Sequence, residues 1–229
     1  MKLCFQISFE QKHLLIKDGS NVILVDTGSP ITIHTSNTLE FGGTSYKVTT
    51  NAMGNTIEEL QKISGVEFTT LMGMDIISKY KVIFDYANQE ITFCTFDEPN
   101  PNGAECPLKL SMGTLIVPVV IKGIARLMIL DTGATYSYLQ SSLTHDLQPK
   151  ETITDFSPLV GGEFTTPIFE IESEFGDTKF LCNYGNLPTT IQTMISLLGV
   201  QGIIGYDLLR SVKLMINIPE NKMILVDRE

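Results

Sequence analysis

Apolar and polar residues alternate along most of this chain, in short runs separated by glycine, proline and asparagine. The opening MKLCFQISFEQKHLLIKDG sets the pattern. A period of two puts successive side chains on opposite faces of a strand. That alternation and the early Glu10 read as a strand and not as a leader peptide. Two stretches read instead as helices. NTIEELQKISG (55–65) starts on polar capping residues and ends on glycine, and PTTIQTMISLLG (188–199) occupies the matching place later in the chain. MDIISKY (74–80) and YDLLRSV (206–212) suffice for little more than one helical turn each, with Asp75 and Asp207 expected to cap them. The pattern predicts an all-β fold with short helices, of small sandwich or barrel character.

The order of elements occurs twice, and a repeat sets architecture. LLIKDGSNVILVDTG (14–28) aligns without a gap on VVIKGIARLMILDTG (119–133). GMDIISKYKVIFDYANQEITF (73–93) aligns in the same way on GYDLLRSVKLMINIPENKMIL (205–225). Between these blocks, LEFGGTSYKV (39–48) is similar to SEFGDTKFLC (173–182). The expected organisation is an N-terminal lobe over 1–98, a linker over 99–108 and a C-terminal lobe over 109–229. FDEPNPNGAECP (96–107) holds three prolines, two asparagines and a glycine, and so reads as a joint and not as an element. The copies differ in one place. From the DTG aspartate to the shared hairpin is 14 residues in the first lobe and 43 in the second. The surplus includes TITDFSPLVGGEFTTPIFEIE (152–172), two β-rich arms expected to turn at Gly161-Gly162.

Both copies drive an aspartate into the end of an apolar strand, in ILVDTGSP (23–30) and MILDTGAT (128–135). Carboxylates are seldom buried without a partner. An approximate two-fold axis between the lobes supplies one, bringing Asp26 and Asp131 face to face. Two carboxylates about 3 Å apart share one proton. The charged member can then take a proton from water while the neutral member hydrogen-bonds a substrate carbonyl. Gly28 and Gly133 allow close backbone approach, and Thr27 and Thr132 are expected to tie the lobes together beneath the pair. Ser29 stands where the second copy has Ala134. Its hydroxyl is expected to donate to Asp26 and leave the shared proton on Asp131.

Composition narrows the alternatives. A net charge of −10 argues against nucleic acid or an anionic membrane as partner. No run approaches the roughly 20 apolar residues of a membrane span, so a cytoplasmic location is expected. The cysteines, Cys4, Cys94, Cys106 and Cys182, form no CxxC pair and read as reduced, buried thiols. The histidines, His13, His34 and His145, are scattered, so no metal is expected. GVQGIIG (199–205) lacks the spacing and the Lys-Ser/Thr of a phosphate loop. No cofactor is expected.

The motifs VDTGSP, LDTGATYSYL, LMGMDII and IIGYDLL together resemble the pepsin and retropepsin superfamily of aspartic proteases, over nearly the whole chain. DTGATYSYL and IIGYDLL look closest to the retroviral branch, here as a fused single-chain counterpart of a homodimer. The resemblance implies two pseudo-symmetric lobes in the acid-protease fold, with Asp26 and Asp131 catalytic and a peptide or protein substrate. It also implies a monomer and a flap that closes over the peptide. Expected flap contacts are Phe156, Val160, Gly161, Gly162, Glu163 and Phe164; Met72, Met74, Ile203 and Ile204 beside the glycines read first as core, with Met72 and Ile204 as the candidate pocket residues. The sequence departs from pepsin-like enzymes in placing its one visible flap in the second lobe, without a flap tyrosine. A non-catalytic peptide-binding module on the same fold is the alternative reading.

Overall fold

In the first repeat the alternation folds into β1 (Lys2–Gln6), β2 (Ser8–Glu10), β3 (His13–Asp18), β4 (Asn21–Val25), β5 (Ile33–His34), β6 (Thr38–Phe41) and β7 (Thr44–Lys47). Helix α1 (Ile57–Ser64), β8 (Thr70–Met72), α2 (Met74–Ile77), β9 (Lys81–Asp85) and β10 (Glu90–Cys94) complete it. After β11 (Gly103–Pro107) the second repeat runs through β12 (Lys109–Ser111), β13 (Thr114–Ile121), β14 (Ile124–Leu130), β15 (Ser137–Leu139), β16 (Glu151–Ser157), β17 (Gly162–Phe175) and β18 (Thr178–Asn186). It ends with α3 (Thr189–Ser196), β19 (Gly202–Ile204), α4 (Tyr206–Leu209), β20 (Lys213–Asn217) and β21 (Lys222–Val226). The computed structural model describes all residues except Met53, Asp177, Arg228, Glu229 and the side chain of Val160.

The fold is all-β with short helices. Lobe one is the sheet β2-β3-β4-β8-β5 with the hairpin β6-β7, and lobe two is the sheet β12-β13-β14-β19-β15-β18-β17-β16. The lobes share a third sheet, β1-β10-β9-β20-β21-β11, in which β9 meets β20 antiparallel. One core runs through both lobes, with Phe41, Phe84, Phe93, Phe175, Tyr184 and Leu214 fully buried. Each such side chain stabilises by roughly 1.5–3 kcal/mol. Across the β9–β20 seam Lys213 Nζ lies 2.9 Å from Asp85 Oδ2. Burial alone would raise the Asp85 carboxyl, but Lys213 and Asn88 outweigh it and hold it below the usual range. The repeat-related position to Asp85 is Asn217, so Lys81 lacks the matching carboxylate. It turns instead to the Glu98 carbonyl and, at 2.9 Å, to Asn100 Oδ1.

Two local expectations are corrected. The stretch 99–108 is not wholly linker, because Gly103–Pro107 forms an edge strand on β21, with Ala104 opposite Leu225 and Cys106 opposite Met223. Cys106 and Leu108 point inward while Glu105 and Pro107 face out, a period of two hidden by the prolines around it. An edge strand tolerates Pro107 because one side of it needs no ladder bond. The inserted hairpin exists as β16 and β17, but it does not turn at Gly161-Gly162. Ser157 pairs with Gly162, and the tip is the 3₁₀ turn Pro158–Val160 followed by Gly161 at φ 69°. Proline fixes the first turn residue and glycine supplies the left-handed last one, so Gly162 belongs to the strand.

Helix α1 begins where sequence placed its cap: Thr56 and Glu59 form a reciprocal capping box, and Gly65 closes the helix at φ 68°. Asp75 and Asp207 do not cap. Gly73 and Gly205 occupy the cap positions, Asp75 accepts a 2.6 Å bond from Thr32, and Asp207 lies 3.9 Å from Lys12. Cys94, Cys106 and Cys182 are buried, whereas Cys4 is exposed. Among the described residues no helix is long and apolar enough to cross a membrane.

Candidate active site

Strand β4 pairs in parallel with β8, and β14 with β19. Each pairing continues one bond beyond its strand. The Asp26 amide donates to the Met72 carbonyl and the Asp131 amide to the Ile204 carbonyl, both at 2.9 Å. The aspartates thus stand at the carboxyl ends of two related strands, facing each other across the lobe boundary. In each turn the carboxylate folds back on the backbone. Asp26 Oδ1 accepts the Gly28 and Ser29 amides at 2.8 and 3.1 Å, and Asp131 Oδ1 accepts the Gly133 and Ala134 amides at 2.9 and 3.1 Å. The lobes approach so closely that a Cβ on Gly28 would lie 2.3 Å from Asp131 Cγ, and one on Gly133 2.6 Å from Asp26 Cγ. Each glycine of a DTG therefore makes room for the opposite aspartate.

The threonines tie the pair from below, as expected. Thr27 Oγ1 donates to the Leu130 carbonyl at 2.8 Å and accepts the Thr132 amide at 3.0 Å. Thr132 Oγ1 donates to the Val25 carbonyl at 2.7 Å and accepts the Thr27 amide at 3.0 Å. Both side chains are buried. Valine has the same shape without the hydroxyl, so Thr27→Val or Thr132→Val leaves one amide and one carbonyl buried and unpaired. We expect each to cost about 2–6 kcal/mol in denaturant unfolding, since such orphaned groups cost about 1–3 kcal/mol apiece. A loss near zero would mean that the lobes are held elsewhere.

The carboxyls of Asp26 and Asp131 lie within hydrogen-bonding reach of one another. Each keeps some surface open to the cleft but has protein around it on the other sides. Burial raises both above the ordinary carboxylate range. Asp131 is raised further, with the Asp26 charge as its next largest cause, whereas bonds from Gly28, Asp131 and Ser29 lower Asp26. The two carboxyls titrate as a pair, both raised by burial. The Ser29 hydroxyl does not act on the pair as expected. Ser29 Oγ donates at 2.8 Å to the Ile31 carbonyl and makes no bond to Asp26. The local turn needs that hydroxyl, so the Ser29/Ala134 difference does not polarise the pair.

A cleft of about 600 Å³ passes over both aspartates. Gly28, Ser29, Gly133 and Ala134 line it, and so do Phe156, Glu163 and Phe164 from the hairpin. Met72 and Ile204 do not. Both are wholly buried in the core, and their neighbours Leu71 and Ile203 face the cleft instead. Adjacent strand residues point to opposite faces, and in TLM and GII both faces are apolar. Gly161 lies off the cleft, Gly162 borders only the slot between the hairpin and α1, and the Val160 side chain falls outside the described residues. Lobe one has no matching hairpin among the described residues. There α1 walls the cleft with Leu60 and Ile63, as α3 does with Ile191 in lobe two.

Several cleft residues escaped the sequence. Asp155 on β16 accepts hydrogen bonds from Tyr138 Oη and, at 3.0 Å, from Thr135 Oγ1. Phe164 packs on the Tyr138 ring at 5.8 Å between centroids. These contacts dock the hairpin on the segment after the second DTG. The phase of TITDFS, with Asp155 two residues from Ile153, was the one available sign that Asp155 turns inward. His13 also lines the cleft. Among the described residues no group of His, Cys, Asp and Glu gathers to hold a metal ion.

No protein-family model matches this sequence, and no curated protein is similar to it. Among solved structures the chain is similar to the simian foamy virus (mac) protease, at 16% identity and a TM-score of 0.31. The similarity covers 41% of this chain and 90% of that one.

Proposed function

We propose that this chain is an aspartic endopeptidase that cuts extended peptides with a water held between Asp26 and Asp131. The observation that carries the reading is the paired carboxyls themselves, in bonding reach of one another in a single cleft and both raised above the ordinary carboxylate range by burial. Asp26, as the ionised member, takes a proton from the water as its oxygen attacks the scissile carbonyl carbon. Asp131 gives its proton to the carbonyl oxygen, which forms a tetrahedral diol. Collapse of the diol returns a proton through the carboxyls to the leaving nitrogen. The peptide would run along the cleft between hairpin and sheet edges, pairing as an added strand. One chain would suffice, since it supplies both aspartates.

Incubation with a mixed peptide library from acid to neutral pH, with and without a statine-type isostere, tests the reading. Cleavage within chains, blocked by the isostere, is the expected result. Binding of peptides without cleavage at any pH would instead favour the non-catalytic module.

A further inference from the structure

The two faces of the β16–β17 hairpin have different surroundings. Directly paired residues share a face, so Asp155 and Phe164 lie on one side, and Phe156 and Glu163 on the other. The Asp155 side is docked on lobe two, where the Tyr138 and Thr135 hydroxyls bond to Asp155 and Phe164 packs on the Tyr138 ring. The Phe156 side faces lobe one across a slot of about 390 Å³, whose other wall is Glu59, Lys62 and Ile63 of α1. That wall is fixed. The capping box and Gly65 close both ends of α1, Ile57 and Leu60 are buried beneath it, and Gln61 Nε2 donates to the Phe68 carbonyl at 2.7 Å. The two walls match in chemistry. Phe156 and Ile63 are apolar and half-buried, while Glu163 is an exposed anion and Lys62 an exposed cation. Glu59 is already engaged, since its Oε2 accepts the Thr56 amide at 2.7 Å. Among the described residues neither Lys62 nor Glu163 forms an ion pair.

We propose that Lys62 is the catch on which the hairpin closes: Glu163 crosses the slot to pair with it, and Phe156 seats on Ile63. The inference rests on reading the chain as a peptide-cutting enzyme and adds to that reading the residue that receives the lid. Ile63, Phe156 and Glu163 border the cleft as well as the slot. Drawing the slot shut therefore also walls one side of the space over the aspartates. The docked face confines the movement to the tip, because Asp155 and Phe164 hold the base of the hairpin on Tyr138. Seating Phe156 on Ile63 removes apolar surface from water, and the ion pair fixes where the tip lands. Lobe one, without a matching hairpin among its described residues, thus contributes to closure through α1. Lys62 is a positioning residue, because it lies outside the cleft and acts through the hairpin.

A water-soluble carbodiimide joins a carboxylate to an amine only where the two meet, and it needs no substrate. The free chain samples the closed state, so a Lys62–Glu163 link should form there and be found by peptide mass mapping. A statine-type peptide in the cleft should raise its yield about threefold or more, and about 1 M salt should suppress it. Lys150 and Glu170, 2.7 Å apart, supply the positive control within the same chain. Lys62→Glu and Glu163→Lys each set like charges across the slot. Each should raise KM, and the Kd of the statine-type peptide, by about 3–10-fold, with thermal unfolding shifted by no more than a few degrees. Lys62→Arg should match the parent, and the double exchange should return both constants to within about twofold of it. A chain that links Lys150 to Glu170 but never Lys62 to Glu163, or a double exchange no better than the product of the single losses, would overturn the proposal. If the parent neither cuts nor binds peptides, the proposed activity fails, while the link in the free chain still decides the role of Lys62.

Discussion

Asp26→Asn and Asp131→Asn should each lower kcat/KM by on the order of 10⁴-fold, since either change removes both a base and an acid from the same proton circuit. The loss should come without unfolding. Asn can still accept the two turn amides at Oδ1, which hold the carboxylates at 2.8–3.1 Å. The pH dependence of stability separates this from a structural defect. Both carboxyls are raised above their ordinary value of 3.8 in the folded chain. A group raised on folding stabilises the fold below its unfolded pKa and loses that contribution as pH climbs through its folded pKa. The pair is therefore a net cost at neutral pH, and each Asn variant should melt higher than the parent at neutral pH but not in strong acid. Thermal unfolding across pH, beside peptide cleavage, checks both halves. A variant that cuts at the parental rate would remove its aspartate from the chemistry.

The repeat made much of this arrangement legible. Two gap-free blocks placed Asp26 and Asp131 on related strands, and the cross-bonded threonines follow from that symmetry. What stayed hidden falls into two kinds. The first is phase within short apolar strands. Thr70–Met72 and Gly202–Ile204 have three residues each, with apolar side chains on both faces, so no alternation tells Leu71 from Met72 or Ile203 from Ile204. The second is contact between segments distant in sequence. Tyr138 meets Asp155 only because β17 and β18 bring the hairpin back over β15, and His13 reaches the cleft only because a turn crosses the lobe boundary. Ser29 shows a third limit. A hydroxyl beside a carboxylate in sequence has several acceptors within reach, and here the Ile31 carbonyl wins.

Cutting back the β16–β17 hairpin should cost activity far more than stability. The change we have in mind replaces residues 156–163 with Asn-Gly, a pair suited to a two-residue hairpin turn. Asp155 and Phe164 are directly paired, so they become the last rung, and the bonds from Tyr138 and Thr135 to Asp155 are kept. What is lost is the part that overhangs the cleft: Phe156, Glu163 and the Pro158–Val160 turn, whose Leu159 is 48% exposed. Little core is removed, so thermal unfolding should shift by no more than a few degrees. Lobe one offers no hairpin matching this one among the described residues, only α1 across a slot lined by Glu59, Lys62 and Ile63. Closure over the aspartates would thus depend on this one lid, which excludes water and presses the peptide backbone towards the pair. Its loss should lower kcat/KM by about 10²-fold or more. Hydrogen exchange supplies the independent reading. Amides of 158–165 should exchange quickly in the free protein and slowly with a bound statine-type peptide, because a tip with few core contacts opens cheaply. A truncated chain that unfolds at much lower temperature, or tip amides as protected as the core before any ligand is added, would show that the hairpin is part of the scaffold and does not act as a lid.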